Sequence, residues 1–249
     1  MRRYPGYSGA SYAFGPGPPT PAIKIIIWAN IAAFVITLFV RSLFEYLALS
    51  PQDVLERGWI WQPATYMFLH GDLFHILFNL LGIWMFGVEL ERMWGTRYFA
   101  RYYAISGLGG AAAMMLLALL PTGLGDQIYS ARIIGASGAL FGLLLAYGLY
   151  FPDRPILMML IFPIPARYFV MIMGGIALLS TIGASGGGIA HGAHLGGLVT
   201  GYLYLKRGRG RGGLAAEIKY RYVKWKMNRL RKKFDVYSGG RGPWDGRVH

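Results

Sequence analysis

Long apolar blocks separated by short polar links occupy most of the chain. Several blocks approach the roughly 20 residues that an α-helix needs to cross a bilayer, and shorter ones can be accommodated inside a bundle. Charged residues are rare in the blocks and gather in the links. The pattern predicts an all-α polytopic membrane protein with six spanning helices. The predicted spans are residues 22–40, 73–90, 98–120, 134–151, 167–182 and 189–205.

Two links differ from simple turns. Residues 41–70 are long for a link between neighbouring spans, and they carry charged residues together with Trp59, Trp61 and Tyr66. Trp and Tyr are enriched where the hydrocarbon meets the headgroups, so this first loop is expected at the membrane interface. Residues 156–164 are apolar but short and flanked by Pro, and we expect them in or near the interface as well.

The composition agrees with a membrane protein and narrows its chemistry. Of the 249 residues, 55% are hydrophobic and only 14% are charged, whereas roughly a quarter are charged in soluble domains. The chain has no Cys, which excludes a disulfide or a thiolate-bound metal. No other cluster of metal-ligating residues stands out, so neither a metal nor another cofactor is expected. Residues 1–20 lack the apolar core of a signal peptide and are expected to form a disordered tail.

The net charge of +14 arises mainly in one segment, because 14 of the 25 Lys and Arg lie from Lys206 onward. Residues 207–249 are predicted to hold a Gly-rich linker, a basic amphipathic helix and a tail. Apolar residues recur at helical spacing between Leu214 and Phe234, which suits a helix lying on anionic lipid. A solvated basic tail explains the same charge equally well. A nucleic-acid partner is not expected, because lipid headgroups account for the basicity.

The Lys and Arg residues of the short loops set the expected orientation. With six spans and the N-terminus inside, most of these residues fall on the inner side, and only Arg41, Arg57 and Arg132 fall outside. Cytoplasmic loops of membrane proteins carry an excess of Lys and Arg. Both ends of the chain are therefore expected in the cytoplasm, and the even-numbered spans run from outside to inside.

Polar side chains recur near the outer ends of these even-numbered spans. His75 and Asn79 open the second span on one helix face, Ser137 opens the fourth, and His194 opens the sixth. At about 1.5 Å per residue, all four lie roughly 5–10 Å below the outer surface. Singly, each could be a polar contact between helices, which membrane proteins often use. Together at one depth they favour a functional site, because ionisable groups inside a membrane are costly.

Nucleophilic catalysis is the chemistry that these residues can provide. A serine hydroxyl becomes a good nucleophile when a base takes its proton, and His194 can be that base for Ser137. Small residues around Ser137 allow close approach, and a helix starting there directs N–H groups toward developing negative charge. His75, Asn79 and the Ser137 N–H can supply donors for an oxyanion. No carboxylate is suitably placed to orient His194, so we predict a Ser-His dyad and not a triad.

The fourth and sixth spans must approach closely for this contact to form. Gly138 and Gly142 lie four apart in the fourth span, and Gly197 and Gly201 do so in the sixth. Small residues at this spacing let transmembrane helices meet backbone to backbone. The pattern is common in membrane helices, and here it supports the predicted contact between serine and histidine.

Short motifs surround these residues and occupy neighbouring segments. They are Trp61-Gln62, His70, His75-Ile-Leu-Phe-Asn79, Glu91-Arg-Met-Trp-Gly95, Gly135-Ala-Ser137-Gly and Ala193-His194-Leu-Gly-Gly197. In these motifs and their order, residues 21–206 resemble the rhomboid family of intramembrane serine proteases. The resemblance implies a six-helix rhomboid-like bundle with a membrane-embedded first loop, and the six-span form resembles bacterial or archaeal members. Gln62 and Phe141 depart from the family pattern, since many members have Arg at the first position and some have Tyr at the second.

The resemblance also implies roles and partners. Ser137 would be the nucleophile, His194 the general base, and His75 and Asn79 oxyanion-hole donors beside the Ser137 N–H. Substrates would be single-span membrane proteins cut near the outer surface, and the location a prokaryotic cytoplasmic membrane. The alternative from another class is a non-catalytic rhomboid-like protein that binds membrane clients or serves quality control, which the presence of both serine and histidine disfavours. A transporter or channel would show polar residues through the midplane or inverted repeats, and neither is clear.

Overall fold

The computed structural model describes residues 15–158, 162–182 and 188–208. The chain divides into two compact units, Met1–Tyr204 and Leu205–His249. The second unit is described only for Leu205–Gly208, the end of a helix. The predicted basic amphipathic helix lies outside the described residues.

The described residues form α-helices joined by short links, with one β-hairpin. In chain order the helices are α1 (Pro21–Phe39), α2 (Arg41–Leu47), α3 (Pro51–Arg57), α4 (Gln62–Thr65), α5 (Leu73–Trp94), α6 (Thr96–Ala118), α7 (Gly123–Ser130), α8 (Ser137–Tyr150), α9 (Ala166–Ile182) and α10 (Gly188–Gly208). A short 3-10 turn, Tyr66–Phe68, follows α4. Strands β1 (Pro155–Met158) and β2 (Phe162–Pro165) pair antiparallel between α8 and α9.

The long helices α1, α5, α6, α8, α9 and α10 coincide with the six apolar blocks to within a few residues. Among the described helices, α1 and α5 are long and apolar enough to cross a membrane by length and composition. α8 and α9 are also apolar, but they are shorter than these two helices. The prediction of a mostly helical protein is confirmed.

Two links contain secondary structure that the apolar pattern did not predict. The link at 121–134 contains α7, which begins after Thr122 because the Thr122 hydroxyl accepts the Gly125 N–H at 3.2 Å. Residues 156–158 and 162–164 of the predicted apolar run lie in strands β1 and β2, in which Pro155 stands opposite Pro165. Proline at both ends prevents these segments from continuing a helix, and antiparallel pairing satisfies backbone groups of the two strands instead.

Glu91, near the end of α5, holds three helices together. Its carboxylate is buried and accepts the N–H groups of Ala22 at 2.9 Å and Ile23 at 3.2 Å. The hydroxyl of Thr20 also donates to it, as does that of Thr96 at 2.8 Å. A carboxylate at the start of a helix satisfies free N–H groups and interacts favourably with the helix dipole. Glu91 therefore caps α1 and fixes the start of α6 against α5.

Residues 15–20, which the sequence placed in the N-terminal tail, lie against α5. The indole N–H of Trp84 donates to the Gly17 carbonyl at 3.0 Å. The guanidinium of Arg92, two turns further along α5, donates to the Pro16 carbonyl at 2.7 Å. These contacts give the segment just before α1 a defined path along the helix.

Glycines let the central helices α6, α8 and α10 meet closely. A Cβ on Gly197 of α10 would overlap the backbone of Gly138 in α8, and one on Gly142 would overlap the Ser106 side chain in α6. The Tyr102 hydroxyl of α6 donates to the Gly142 carbonyl at 2.7 Å. Backbone-to-backbone packing of this kind is what small residues at four-residue spacing permit. The close approach of α8 and α10 expected from their glycines is present.

Hydrogen bonds within the first loop hold its short helices together. The Gln62 side chain is fully buried, and it accepts the Ser50 N–H at 2.9 Å and donates to the Tyr46 carbonyl at 3.3 Å. The indole of Trp61 donates to the same carbonyl at 3.0 Å, and its ring stacks on Trp59. The amide of Gln62, one of the two positions that depart from the expected motif pattern, thus ties α2 and α3 to α4.

Candidate active site

Ser137 is the first residue of α8, and the first loop holds the segment that leads to it. Ile133 pairs with Leu49 in a short antiparallel bridge with N–H···O distances of 3.0 and 2.8 Å. The Gly135 N–H donates to the Tyr66 carbonyl at 2.9 Å. N–H groups in the first turn of a helix have no acceptor within the helix. The Ser137 N–H is therefore available to stabilise an anion beside its own hydroxyl.

His194 of α10 contacts this serine. Its Nε2 atom lies 2.7 Å from Ser137 Oγ, which is a hydrogen-bonding distance. When the hydroxyl donates to Nε2, the neutral imidazole carries its proton on Nδ1. The ring of Phe141, one turn after Ser137, stacks on His194 with centroids 4.2 Å apart and planes 7° apart. Stacking on the histidine therefore persists without the hydroxyl of a tyrosine.

The glycine contact between α8 and α10 explains why serine and histidine meet. Gly138 follows Ser137 directly, and Gly197 lies one turn beyond His194. A Cβ on Gly138 would come within 3.3 Å of the Ala193 carbonyl oxygen, which is tighter than ordinary packing. The absence of side chains at these positions sets the distance between the two helices, and with it the distance between the two reactive groups.

His75 lies in the first turn of α5, which Asp72 caps by accepting the His75 N–H at 2.9 Å. The Gly71 N–H donates to His75 Nδ1 in a long hydrogen bond of 3.5 Å, which favours the neutral tautomer with its proton on Nε2. Gly135 has a φ of 113°, and a Cβ there would lie 2.8 Å from His75 Nε2 and 3.6 Å from Ser137 Oγ. Because glycine has no such carbon, space remains between the His75 donor and the serine oxygen.

His70 supports His75 from the first loop. The two rings meet edge to face with centroids 4.9 Å apart, and His70 is buried. Burial, together with the nearby His75, lowers the pKa of His70 to about 4, so the ring is neutral at physiological pH. A neutral, tightly packed ring at this place limits the orientations that His75 can adopt.

Asn79 is buried one turn after His75 on the same helix. Its Nδ2 donates to the His75 carbonyl at 2.8 Å, which uses one amide hydrogen and leaves the other. Within the described residues Asn79 makes no hydrogen bond to Ser137 or His194. The structure thus brings Ser137 and His194 into direct contact and places His75 beside them. Asn79 lies next to His75 and keeps one donor.

Two further residues belong to this site. Gly135 leaves the space between His75 and Ser137 open. The small residues directly before Ser137 were the sequence feature that could have indicated this role. The ring of His191 lies 5.2 Å from that of His194 between centroids, with planes 82° apart. Its position three residues before His194, on the same helix face, was the sequence feature that could have indicated that His191 lies at the site. In the described part of the chain, no group of three or more His, Asp or Glu is arranged to hold a metal ion.

Comparison with known proteins gives a consistent result. The family model described as the rhomboid domain matches residues 57–209. Rhomboid protein 1, mitochondrial, of Saccharomyces cerevisiae is 30% identical over 210 residues, covering 80% of this chain and 58% of the yeast protein. RHOMBOID-like protein 5 of Arabidopsis thaliana is 35% identical over 91 residues, covering 36% of this chain and 27% of that protein. Rhomboid protease GluP of Bacillus subtilis is 32% identical over 92 residues, covering 37% and 16%.

The matched region contains Ser137 and His194. This chain spans less than two thirds of the length of each of these three relatives. The relatives include mitochondrial as well as bacterial proteins, and one of them is named as a protease. The chain therefore belongs to the rhomboid family of intramembrane proteases and their relatives, and is an integral membrane protein.

Proposed function

We propose that this protein is an intramembrane serine endopeptidase that cleaves single-span membrane proteins near the outer membrane surface. Ser137 is the nucleophile and His194 the general base. The observation that carries the proposal is the 2.7 Å contact between His194 Nε2 and Ser137 Oγ at the start of α8. A serine and a histidine at this distance, beside free helix N–H groups, are the parts that acyl transfer requires.

The reaction would proceed through an acyl-enzyme. Ser137 Oγ attacks the scissile carbonyl carbon while His194 Nε2 takes the hydroxyl proton. The resulting oxyanion accepts hydrogen bonds from the Ser137 N–H, from His75 Nε2–H and from the remaining amide hydrogen of Asn79. His194 then gives its proton to the leaving amine. A water molecule, deprotonated by His194, hydrolyses the ester and restores the serine.

The proposed catalytic domain comprises residues 21–206, with six spanning helices, the folded first loop in the membrane interface, and both ends cytoplasmic. The distribution of Lys and Arg supports this orientation. Residues 1–20 precede this domain as its N-terminal tail, and the basic residues 207–249 follow it, on anionic lipid or as a solvated tail.

Cleavage of defined substrates tests the proposed activity. The purified protein would be reconstituted in liposomes with a panel of single-span membrane proteins, and products would be identified by gel and mass spectrometry. We expect cuts near the outer end of the substrate span, and no product with the Ser137→Ala variant. Stable binding of panel members without any cleavage would instead support the client-binding alternative.

The topology has its own prediction. Because the natural chain has no Cys, a single introduced cysteine can be labelled without background. Gly123 is exposed and a side chain there meets no neighbour, and Asp153 is exposed in the link after α8. A membrane-impermeant maleimide should label Gly123→Cys in intact cells, and Asp153→Cys only after permeabilisation. The reverse pattern would refute the orientation and with it the outer location of the site.

The Asn79→Ala variant separates a role in catalysis from a role in packing. Loss of one oxyanion donor typically lowers kcat by about 10²–10³. We expect a smaller loss here, because two further donors share the charge. The loss should appear in kcat more than in KM, since the oxyanion exists only during the reaction.

The control is the melting temperature of the same preparation. The His75→Ala/Asn79→Ala double variant should lose more rate than either single variant. A lowered melting temperature with unchanged kcat would assign Asn79 to packing only, through its hydrogen bond to the His75 carbonyl.

A further inference from the structure

The Nδ1 atom of His194 lacks an acceptor in the described part of the chain. Its Nε2 faces Ser137, so the neutral ring carries its proton on Nδ1. This nitrogen is buried and has no hydrogen-bond partner among the described residues. When His194 takes the serine proton, the ring becomes a cation, and the need for an acceptor at Nδ1 increases.

His191 is placed to meet that need. It lies three residues before His194 on α10, so the two side chains share a helix face. Their rings are 5.2 Å apart and nearly perpendicular, and Phe141 covers one face of His194. The Nδ1 atom of His191 is also buried without a partner among the described residues. Two unsatisfied nitrogens therefore lie on neighbouring rings, one a donor and the other able to accept.

We propose that His191 is a positioning residue whose Nδ1 accepts the hydrogen bond of His194 Nδ1–H through one bridging water molecule. This inference rests on the proposed function. The contact fixes the tautomer in which His194 Nε2 can accept from Ser137, and it stabilises the imidazolium formed during the reaction. His191 thereby takes the place that a carboxylate has in a Ser-His-Asp triad. An imidazole acceptor carries no negative charge, so it stabilises the cation less than a carboxylate would.

Three substitutions distinguish an acceptor from a packing ring. His191→Phe keeps a flat ring of similar size and removes both nitrogens. His191→Asn places its amide oxygen where Nδ1 of histidine lies. His191→Gln places its amide group near the position of Nε2 instead. If His191 only fills space, the Phe variant should keep the most activity. If its Nδ1 is an acceptor, the Asn variant should restore the hydrogen bond and the Gln variant should not.

The kinetic readout is kcat and KM on a cleaved single-span substrate in liposomes. We expect His191→Phe to lower kcat about 10- to 100-fold, the range for one hydrogen bond to a charged group, with KM little changed. His191→Asn should recover kcat to within a few-fold of the natural protein, and His191→Gln should not. A natural level of kcat in His191→Phe, or equal losses in the Asn and Gln variants, would overturn the proposal.

A second readout does not depend on cleavage. Nitrogen-15 NMR of histidine-labelled protein in micelles reports which ring nitrogen of His194 is protonated. We expect a single Nδ1–H tautomer in the natural protein and in His191→Asn, and a mixture of tautomers in His191→Phe. Identical His194 spectra in all variants would refute the contact. If no substrate is cleaved by any form, the proposed function fails, and the NMR comparison still decides the role of His191.

Discussion

Cleavage is expected to disappear when Ser137 is replaced by Ala, and equally when His194 is replaced by Ala. The methyl group of alanine cannot attack a carbonyl, and without His194 the hydroxyl keeps its proton. In a soluble serine protease, loss of either residue lowers kcat by about 10⁶, which places both variants below ordinary detection. On the proposed mechanism the two side chains, 2.7 Å apart, act as one unit, so the double variant should be no worse than either single one.

The measurement is product formation in liposomes together with melting temperature for each variant. Both single variants should remain folded, since each removes only a few atoms from a bundle held by many other contacts. A fluorophosphonate probe should label the natural protein at Ser137 and should fail to label Ser137→Ala. Continued cleavage by purified Ser137→Ala would refute the assignment of the nucleophile.

The Gly197→Ala substitution is expected to lower kcat by a factor of about 10², although Gly197 is not one of the reacting residues. A Cβ at this position would overlap the Gly138 backbone, so α8 and α10 must move apart. Ser137 precedes Gly138 directly, and His194 lies one turn from Gly197, so the reacting atoms separate with the helices. A displacement of about 1 Å in a catalytic contact can cost about 10² in rate.

The matched control is Gly175→Ala in α9. This glycine is also helical, but a Cβ there meets no other atom within 4 Å. Gly175→Ala should keep or raise the melting temperature, because alanine favours helix, and should keep the natural kcat. Gly197→Ala should instead lower the melting temperature, since overpacking typically costs about 1–3 kcal/mol. Equal behaviour of the two variants would show that the glycine contact does not set the active-site distance.

The long helices could be predicted from the sequence because a span must be apolar over most of its length. A common depth for Ser137 and His194 was predicted by counting residues from the outer end of each apolar block, and the two side chains are in contact in the structure. The contact between α8 and α10 was likewise visible in the spacing of their glycines. These features depend on regular helix geometry, which repeats from residue to residue and can be read without coordinates.

The remaining features depend on short elements and on individual backbone hydrogen bonds. The hairpin at 155–165 and helix α7 are short, and their apolar pattern alone did not distinguish them from loops. The tautomer of His75 follows from a hydrogen bond to Gly71 in a turn. The path to Ser137 is fixed by backbone bonds to Tyr66 and Leu49, far away in the chain. Backbone hydrogen bonds of this kind can be made by almost any residue type, so the sequence does not predict them.

The wide separation of the reactive residues along the chain has a consequence for biosynthesis. Ser137 precedes His194 by 57 positions, and the base lies on the last helix that the structure describes. At about 5–20 residues per second, roughly 3–11 s pass between synthesis of the two. During that time the growing protein in the membrane holds the serine without its base. On the proposed mechanism, newly made neighbours at the insertion machinery are therefore safe from cleavage until the last helix has packed.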